Sequence, residues 1–508
     1  MARLEWDKLL STQRLREPNH PKDGDNNTVV IRTPIEEDYD RIVGSSSVRR
    51  LQDKAQVFPL QEDDVARTRL THSIEVSGLA RSLGKAVGYQ IEKRHDEKAF
   101  TSKQTDELAA LLQVTGLVHD LGNPPFGHYG ETAIRDWFEN WFDSSPFLNT
   151  KDVVFTSQQK DDFVFFDGNA QNWRIITKLQ TLYDIYGANF TYATLGTIIK
   201  YPWQSDKRPN GKEKFGYFSP ERDNAIKVRT ELGLNDNVRH PATFLLEAAD
   251  DIIYLCDDIE DGVKKGLIDW PTEYQIIKKN LLGDEKGKCK QKEDIEELFY
   301  RIENTKPDFR LPQSEQETAG VRYFRNAVQS YLFRKTVVLF MENYDRIMSN
   351  ESSPELLGLE LLKCDPGVKA LCNELKRVAK EHCFSCPEVL SLESAGHQVI
   401  TSLLNFYVPA LLNNDGSKLA DTRYYPGKLF HRISPNFVYV VMCGHIPDIP
   451  DSKEEKEDEN KKFRLITPEH IDMLTPYDRL RLVVDFIAGM TDSYAFMLYQ
   501  ELMGIKRP

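Results

Sequence analysis

No long apolar run occurs in this chain. No stretch is long enough to span a bilayer. The opening residues Met-Ala-Arg-Leu-Glu-Trp-Asp-Lys lack the apolar segment of a signal peptide. Cysteine is sparse, with seven in 508 residues and no regular spacing. That argues against a disulfide framework and suits a reducing, cytoplasmic location. Cys383-Phe-Ser-Cys386 is the one close pair, with His382 beside it. A structural zinc site needs four ligands and no second pair supplies the rest, so these read as half-buried thiols. Positive charge is in deficit: 66 Lys and Arg face 79 Asp and Glu, a net charge of −13. This disfavours a general nucleic-acid coat, which releases counterions through excess Lys and Arg. A local basic pocket for a phosphorylated ligand stays compatible with it. No internal repeat at solenoid periods is present.

What the chain does have is a 40% share of hydrophobic residues, enough for a sizeable core. Residues 1 to about 40 are polar and turn-rich and read as an arm. From Ile42 the pattern is helical. Leu70, Ile74, Leu79, Leu83 and Val87 recur near i, i+4 spacing, and so do Leu108, Leu111, Leu112 and Val118. The second helix ends at Asp120, before Gly122 and Pro124-Pro125. Further helical regions are expected over 171–201, 244–263, 274–343 and 356–411, with charged connectors near 283–293 and 305–317. Val438–Cys443 is β-branched and reads as a short strand. Asp451–Lys462 reads as a solvated loop, and Tyr477–Met503 as a closing helix. The expected class is mainly α.

One stretch concentrates chemistry: His119-Asp120-Leu-Gly-Asn-Pro-Pro-Phe-Gly-His128-Tyr-Gly-Glu131. His72, His119 and Asp120 offer two imidazoles and a carboxylate. Asp250, within Glu247-Ala-Ala-Asp250-Asp251, sits in an otherwise apolar helix, and a buried carboxylate needs a compensating partner such as a metal ion. Mixed imidazole and carboxylate ligands suit Mn²⁺, Fe²⁺, Co²⁺, Zn²⁺ or, less well, Mg²⁺. Each residue alone is more often structural: His72 a satisfied core histidine, Asp250 a helix-packing carboxylate. The combination, flanked by Gly-Asn-Pro-Pro, favours metal-dependent hydrolysis.

The pattern His72 … His119-Asp120 … Asp250 resembles the HD-domain metal phosphohydrolases. The segments Arg49–Leu60, Arg67-Thr-Arg69-Leu-Thr-His72, His119–His128, Asp167-Gly-Asn169-Ala-Gln171, Glu247-Ala-Ala-Asp-Asp and Asp485–Asp492 are similar, in order, to the bacterial deoxyguanosine triphosphate triphosphohydrolases. The resemblance implies an HD-domain helical core with additional helices and at most a few short strands. It implies an arm over 1–40, a core over 41–270, and a helical region over 271–508 that completes the substrate pocket and subunit contacts.

The resemblance also implies a reaction: water cleaves a dNTP, most simply dGTP, into deoxynucleoside and intact triphosphate. His72, His119, Asp120 and Asp250 would hold a divalent metal, Mn²⁺ or Mg²⁺ foremost. His128 would manage a proton, oriented by Glu131. Arg69, Lys200 and Lys214 sit at positions similar to phosphate contacts. Asn169 falls in a substrate-binding motif, Gln56 at a 3′-hydroxyl contact and Glu393 at a base contact. Asp250, Tyr254 and Asp258 are four apart and drift only about 40° per step along one helix face. Tyr254 against C2′ would leave no room for a 2′-hydroxyl. Relatives form homohexamers, and some respond to single-stranded DNA. Arg423, Lys428, His431 and Arg432, interleaved with Tyr424, Tyr425 and Phe430, are a candidate strand contact. Two other readings compete: an HD nucleotidase or phosphodiesterase of broader specificity, and a non-catalytic nucleotide sensor.

Overall fold

A computed structural model describes residues 3–16, 32–58, 66–97, 99–180 except 151–154, 185–283 except 210, 290–305, 310–442 and 467–505. The charged run at 451–462 lies outside them, as do Cys443 and most of the turn-rich segment before residue 32. Nearly all regular structure is helical. The principal helices are α1 (Pro34–Val43), α2 (Arg69–Glu92), α3 (Ser102–Val118), α4 (Gly127–Ser144), α5 (Ser157–Val164), α6 (Gly168–Arg174) and α7 (Tyr192–Ile198). They continue with α8 (Pro241–Lys264), α9 (Trp270–Leu282), α10 (Lys290–Asn304), α11 (Gln313–Glu342), α12 (Pro366–Val378), α13 (Pro387–Leu412), α14 (Pro435–Met442), α15 (Pro476–Ala488) and α16 (Asp492–Leu502). Extended pairing among the described residues is limited to isolated bridges such as Ala55 with Thr68.

The chain forms two compact units. The first comprises 1–120, 190–203 and 223–393. Its centre is the pair α2 and α3, which approach closely because small residues meet: a Cβ added at Gly116 would lie 2.8 Å from the Ser77 Cα. α8 begins at the cap residue His240, whose ring accepts from the Ala242 N–H, with Pro241 at its first position. Ile252, Leu255, Cys256 and Ile259 then bury the helix in a core shared with Trp270, Phe324, Leu332 and Leu371. Cys383 and Cys386 are buried in that core, as free thiols. The N-terminal residues Leu4, Trp6, Leu9 and Leu10 are buried as well, and the Trp6 indole donates to the Tyr344 hydroxyl at 2.7 Å.

The second unit comprises 121–189, 204–222 and 394–508. Aromatic rings from Phe138, Phe142, Phe163 and Tyr477 pack together there. A buried ion network ties α6 to α15: Arg174 donates to Asp485 at 2.7 Å and to Glu221 at 2.6 Å.

Three sequence expectations are corrected. Val438–Met442 is helical, within α14, not a strand. Pro435 starts the turn, and burial of Phe437, Val438, Val440, Val441 and Met442 outweighs their β-branched preference. The terminal helix is two helices bent by 115°. The break falls at Gly489-Met490-Thr491, where the Thr491 side chain caps α16 by accepting from the Tyr494 N–H. The expected helical run over 171–201 is also interrupted: α6 widens into a π turn at Ile175–Leu179, and Gly187 and Asn189 adopt positive φ. No single described helix is long and apolar enough to cross a membrane.

Candidate functional site

The first unit assembles a compact donor cluster. Thr68 caps α2 by accepting from the Thr71 N–H, which fixes where the helix starts. His72 therefore lies on its first full turn, buried to 1% exposure. Its Nε2 is 3.1 Å from Asp250 Oδ1. His119 follows the last residue of α3. Its Nδ1–H donates to the Gly116 carbonyl at 2.8 Å, so Nε2 is the nitrogen that faces the carboxylates and the one that could ligate once it gives up its proton. That Nε2 is 3.5 Å from Asp250 Oδ1 and 3.6 Å from Asp120 Oδ1. One ligand atom from each of His72, His119 and Asp250 lies within 4.8 Å of the others. Asp120 is held by Arg69, whose Nη1 donates to Oδ2 at 2.6 Å and leaves Oδ1 toward the His119 ring.

This arrangement fits a divalent cation. Two imidazoles and the Asp250 carboxylate converge, one ring is oriented by a backbone carbonyl, and the adjacent Asp120 carboxylate is oriented by a guanidinium. The electrostatics agree. Burial pulls the His119 pKa down, but the Asp120 and Asp250 carboxylates override it and raise it to about 9. Asp250 itself is pushed well below the carboxylate range, because His119 and His72 outweigh its desolvation. Negative potential is thus focused where a cation would sit.

Around the cluster, Lys200 contacts Glu247 at 3.5 Å, and its ammonium is stabilised by Glu247, Tyr201, Asp250 and Asp251 against burial. Tyr254 is half-buried on α8, and the Lys376 ammonium lies 5.7 Å from its ring centre. Asp258 is buried, and desolvation, then Asp261, pushes it up to about 8. Gln56 is half-buried, with Oε1 lacking a hydrogen-bond partner among the described residues, and Glu393 is buried. Sequence reasoning missed Asp251 and Lys376. Asp251 is pushed up to about 6, first by burial and then by Asp250. Its signal was the doubled Asp in an apolar helix; Lys376 had none.

The second unit holds a His–Glu pair. Phe126 and Gly127 take φ of 63° and 61°, which swings the chain into α4. The Phe126 N–H donates to Asp492 Oδ1 at 2.9 Å and holds this turn. His128 is on the first turn of α4, well exposed, with Nδ1 3.2 Å from Glu131 Oε2. Glu131 is buried, and its Oε1 accepts from the Gly168 N–H at 2.7 Å. Burial raises the Glu131 pKa, but the His128 hydrogen bond and charge, helped by Lys214 and Arg135, bring it below the usual value. Asn169 donates to Asp167 Oδ1 at 2.8 Å. His128, Glu131, Asn169 and Lys214 therefore belong to one neighbourhood.

The basic-aromatic patch is less basic than its sequence suggests. Arg423 is paired with Asp421 at 2.6 Å and Arg432 with Glu501 at 2.8 Å. The His431 ring is 3.0 Å from the Ala420 carbonyl.

Comparison with known proteins adds identity to geometry. The HD domain family matches residues 69–152, and the phosphohydrolase-associated domain family matches 461–501. A deoxyguanosinetriphosphate triphosphohydrolase-like protein of Listeria innocua is 35% identical over 99% of this chain and 100% of its own length. A protein of the same description from Synechocystis is 32% identical over 99% of this chain and 100% of its own. The deoxyguanosinetriphosphate triphosphohydrolase of Salmonella paratyphi A is 30% identical over 93% of this chain and 94% of its own length.

Proposed function

The chain belongs to the deoxyguanosinetriphosphate triphosphohydrolase family of HD-domain phosphohydrolases, and we propose that it hydrolyses dGTP to deoxyguanosine and triphosphate. The observation that carries this reading is the convergence of His72, His119 and Asp250, with Asp120 held by Arg69. These four would hold Mn²⁺ or Mg²⁺. A divalent ion in such a site lowers the pKa of bound water and neutralises a phosphoryl oxygen.

The chain's own residues would do the rest. Lys200, kept charged by Glu247, supplies a cation to the triphosphate in a protein of net charge −13. Lys214 and Arg69 are the further phosphate-side cations, with Arg69 acting also through Asp120. Tyr254 presents its ring from the α8 face to the deoxyribose. Gln56, whose buried oxygen has no hydrogen-bond partner among the described residues, suits a sugar hydroxyl. Asn169 and Asp258 are proposed as further substrate contacts, Asp258 as a donor in its neutral form. Glu393 is proposed for the guanine edge. His128 is proposed to protonate the leaving 5′ oxygen, with Glu131 holding the imidazolium by its Oε2. A homohexamer, response to single-stranded DNA and a cytoplasmic location complete the proposal by family likeness.

The test is product analysis. Purified protein incubated with each of the four dNTPs and Mn²⁺ should release triphosphate and deoxynucleoside in equal amounts, fastest from dGTP. His128→Ala should still bind Mn²⁺ but turn over about 10² to 10⁴-fold more slowly. Release of orthophosphate or pyrophosphate instead would point to a nucleotidase, and binding without hydrolysis to a sensor.

A further inference from the structure

Two of the cluster's ligands sit on different helices, His72 on α2 and Asp250 on α8, and something must fix the slide of one helix along the other. A stripe of α8 bears on this. Asp257 and Asp261 follow Asp250 by seven and eleven residues, so each points within about 20° of Asp250, on either side of it, and the three span about 16 Å of helix. Asp250 reaches His72 at one end of the stripe. At the other end a single side chain, Arg67, takes up the remaining acids.

Arg67 lies two residues before α2 begins, at 11% side-chain exposure. Its backbone N–H donates to Asp261 Oδ2 at 2.9 Å, and its Nη1 donates to the other oxygen of the same carboxylate. Nη2 donates to Glu260 Oε2 at 3.0 Å. Nε donates to Glu75, on α2, at 3.1 Å, and is 3.2 Å from Asp257 Oδ2. Every face of the guanidinium is engaged. The network extends to α11 through Arg325, which donates to Glu260 at 2.6 Å.

We infer that Arg67 is a positioning residue that clamps the start of α2 to α8 and thereby sets the His72–Asp250 spacing for metal binding. The inference rests on the metal reading proposed above. The physical argument is one of tolerance. Metal–ligand distances must hold to within about 0.2 Å, whereas a one-residue slip moves a helix by about 1.5 Å. Apolar packing between α2 and α8 resists separation well but has no direction along the helix axes. A planar fork hydrogen-bonded to two carboxylates of one helix, with a third beside it, does have direction. Arg69 performs a parallel task two residues later, on Asp120. The pattern Arg67-x-Arg69 thus reads as two guanidiniums, each orienting a different part of the ligand set.

The experiment measures affinity for Mn²⁺ alone, by calorimetry or by the resonance signal of free Mn²⁺, beside thermal unfolding of the same full-length proteins. Arg67→Lys keeps the charge but loses the fork. It should weaken Mn²⁺ binding by about tenfold or more. Arg325→Lys perturbs the same ion network away from α2. It should lower the melting temperature and leave Mn²⁺ affinity unchanged. Should Arg67→Lys fail to fold, Asp261→Asn removes one arm of the clamp and is held to the same criterion. Mn²⁺ affinity within twofold of wild type in the folded variant overturns the inference. So does an equal loss in Arg325→Lys, which would reduce Arg67 to a general stabiliser. Wild type that binds no more Mn²⁺ than His119→Ala would overturn the metal reading itself, and this inference with it.

Discussion

Gly122 has no room for a methyl group. A Cβ there would lie 2.0 Å from the Gly168 carbonyl oxygen and 2.2 Å from the Asn172 nitrogen, both backbone atoms that cannot swing aside. The Asp167-Gly168 turn would have to retreat, and Gly168 supplies the N–H that holds Glu131 Oε1. Gly122→Ala should therefore cost about 3 kcal/mol, at the upper end for overpacking. It should also lower turnover through the loosened Glu131–His128 pair. Unchanged turnover in a variant that melts lower would show that the turn supports the fold but not the pair. At this scale the sequence was legible where chemistry is carried by residue type. Two histidines, two aspartates and a Gly-Pro break announced themselves. The sequence was silent where a role depends on what a side chain touches. Arg69 reads as a phosphate contact, and nothing in the sequence announces that its guanidinium also holds Asp120. Arg67 stands in the sequence only as part of a motif, with no role attached, yet it is buried among carboxylates.

Among elements, Asp162 shows how one side chain can hold several together. It is fully buried on α5 and accepts from the Ser205 hydroxyl at 2.6 Å, the Ser219 N–H at 2.8 Å and the Tyr477 hydroxyl at 2.7 Å. Desolvation dominates over these donors and pushes its pKa up to about 7. The folded state then holds its proton more tightly than the unfolded chain, where a carboxyl titrates near about 3.9. Its stabilising contribution is complete below about pH 4 and is lost as the pH rises toward 7. The shift of about three units corresponds to as much as about 4 kcal/mol. Asp162→Asn removes the titration. The amide can donate to Ser205, whose hydroxyl already reaches the Gln158 carbonyl, while its oxygen keeps Ser219 and Tyr477. The variant should be more resistant to denaturant than wild type at pH 8 and equal or weaker at pH 4. Parallel stability profiles from pH 4 to 8 would refute this account. The helices themselves were readable from apolar spacing in α2, where one face is buried, and from long apolar runs in α3 and α8, which are buried on nearly all sides. Spacing failed in the short α14, where β-branched residues mimic a strand. It failed again at α15 and α16, because a break of three residues hardly disturbs the periodicity.

For the whole molecule, a net charge of −13 sets a problem that the local sites must solve. Such a chain repels a triphosphate at long range and attracts divalent cations indiscriminately. Both effects are screened beyond about 8 Å at physiological ionic strength. A specific metal site is therefore distinguishable from diffuse attraction by measuring at about 0.15 M salt. A ligand that binds only the folded state stabilises it by RT ln(1 + [L]/Kd), about 2.7 kcal/mol at a hundredfold excess over Kd. The unfolding temperature of the wild-type protein should rise steadily with Mn²⁺ under these conditions, and chelation should reverse the rise. His119→Ala should abolish the dependence, since that ring is both within the donor cluster and oriented by Gly116. His128→Ala should preserve it, because that side chain pairs with Glu131 and is not among the converging donors. A Mn²⁺ response that survives His119→Ala would mean that surface acids, not the cluster, capture the ion. The donor geometry would then be a buried polar network in its own right, held together by the protons that His119 retains.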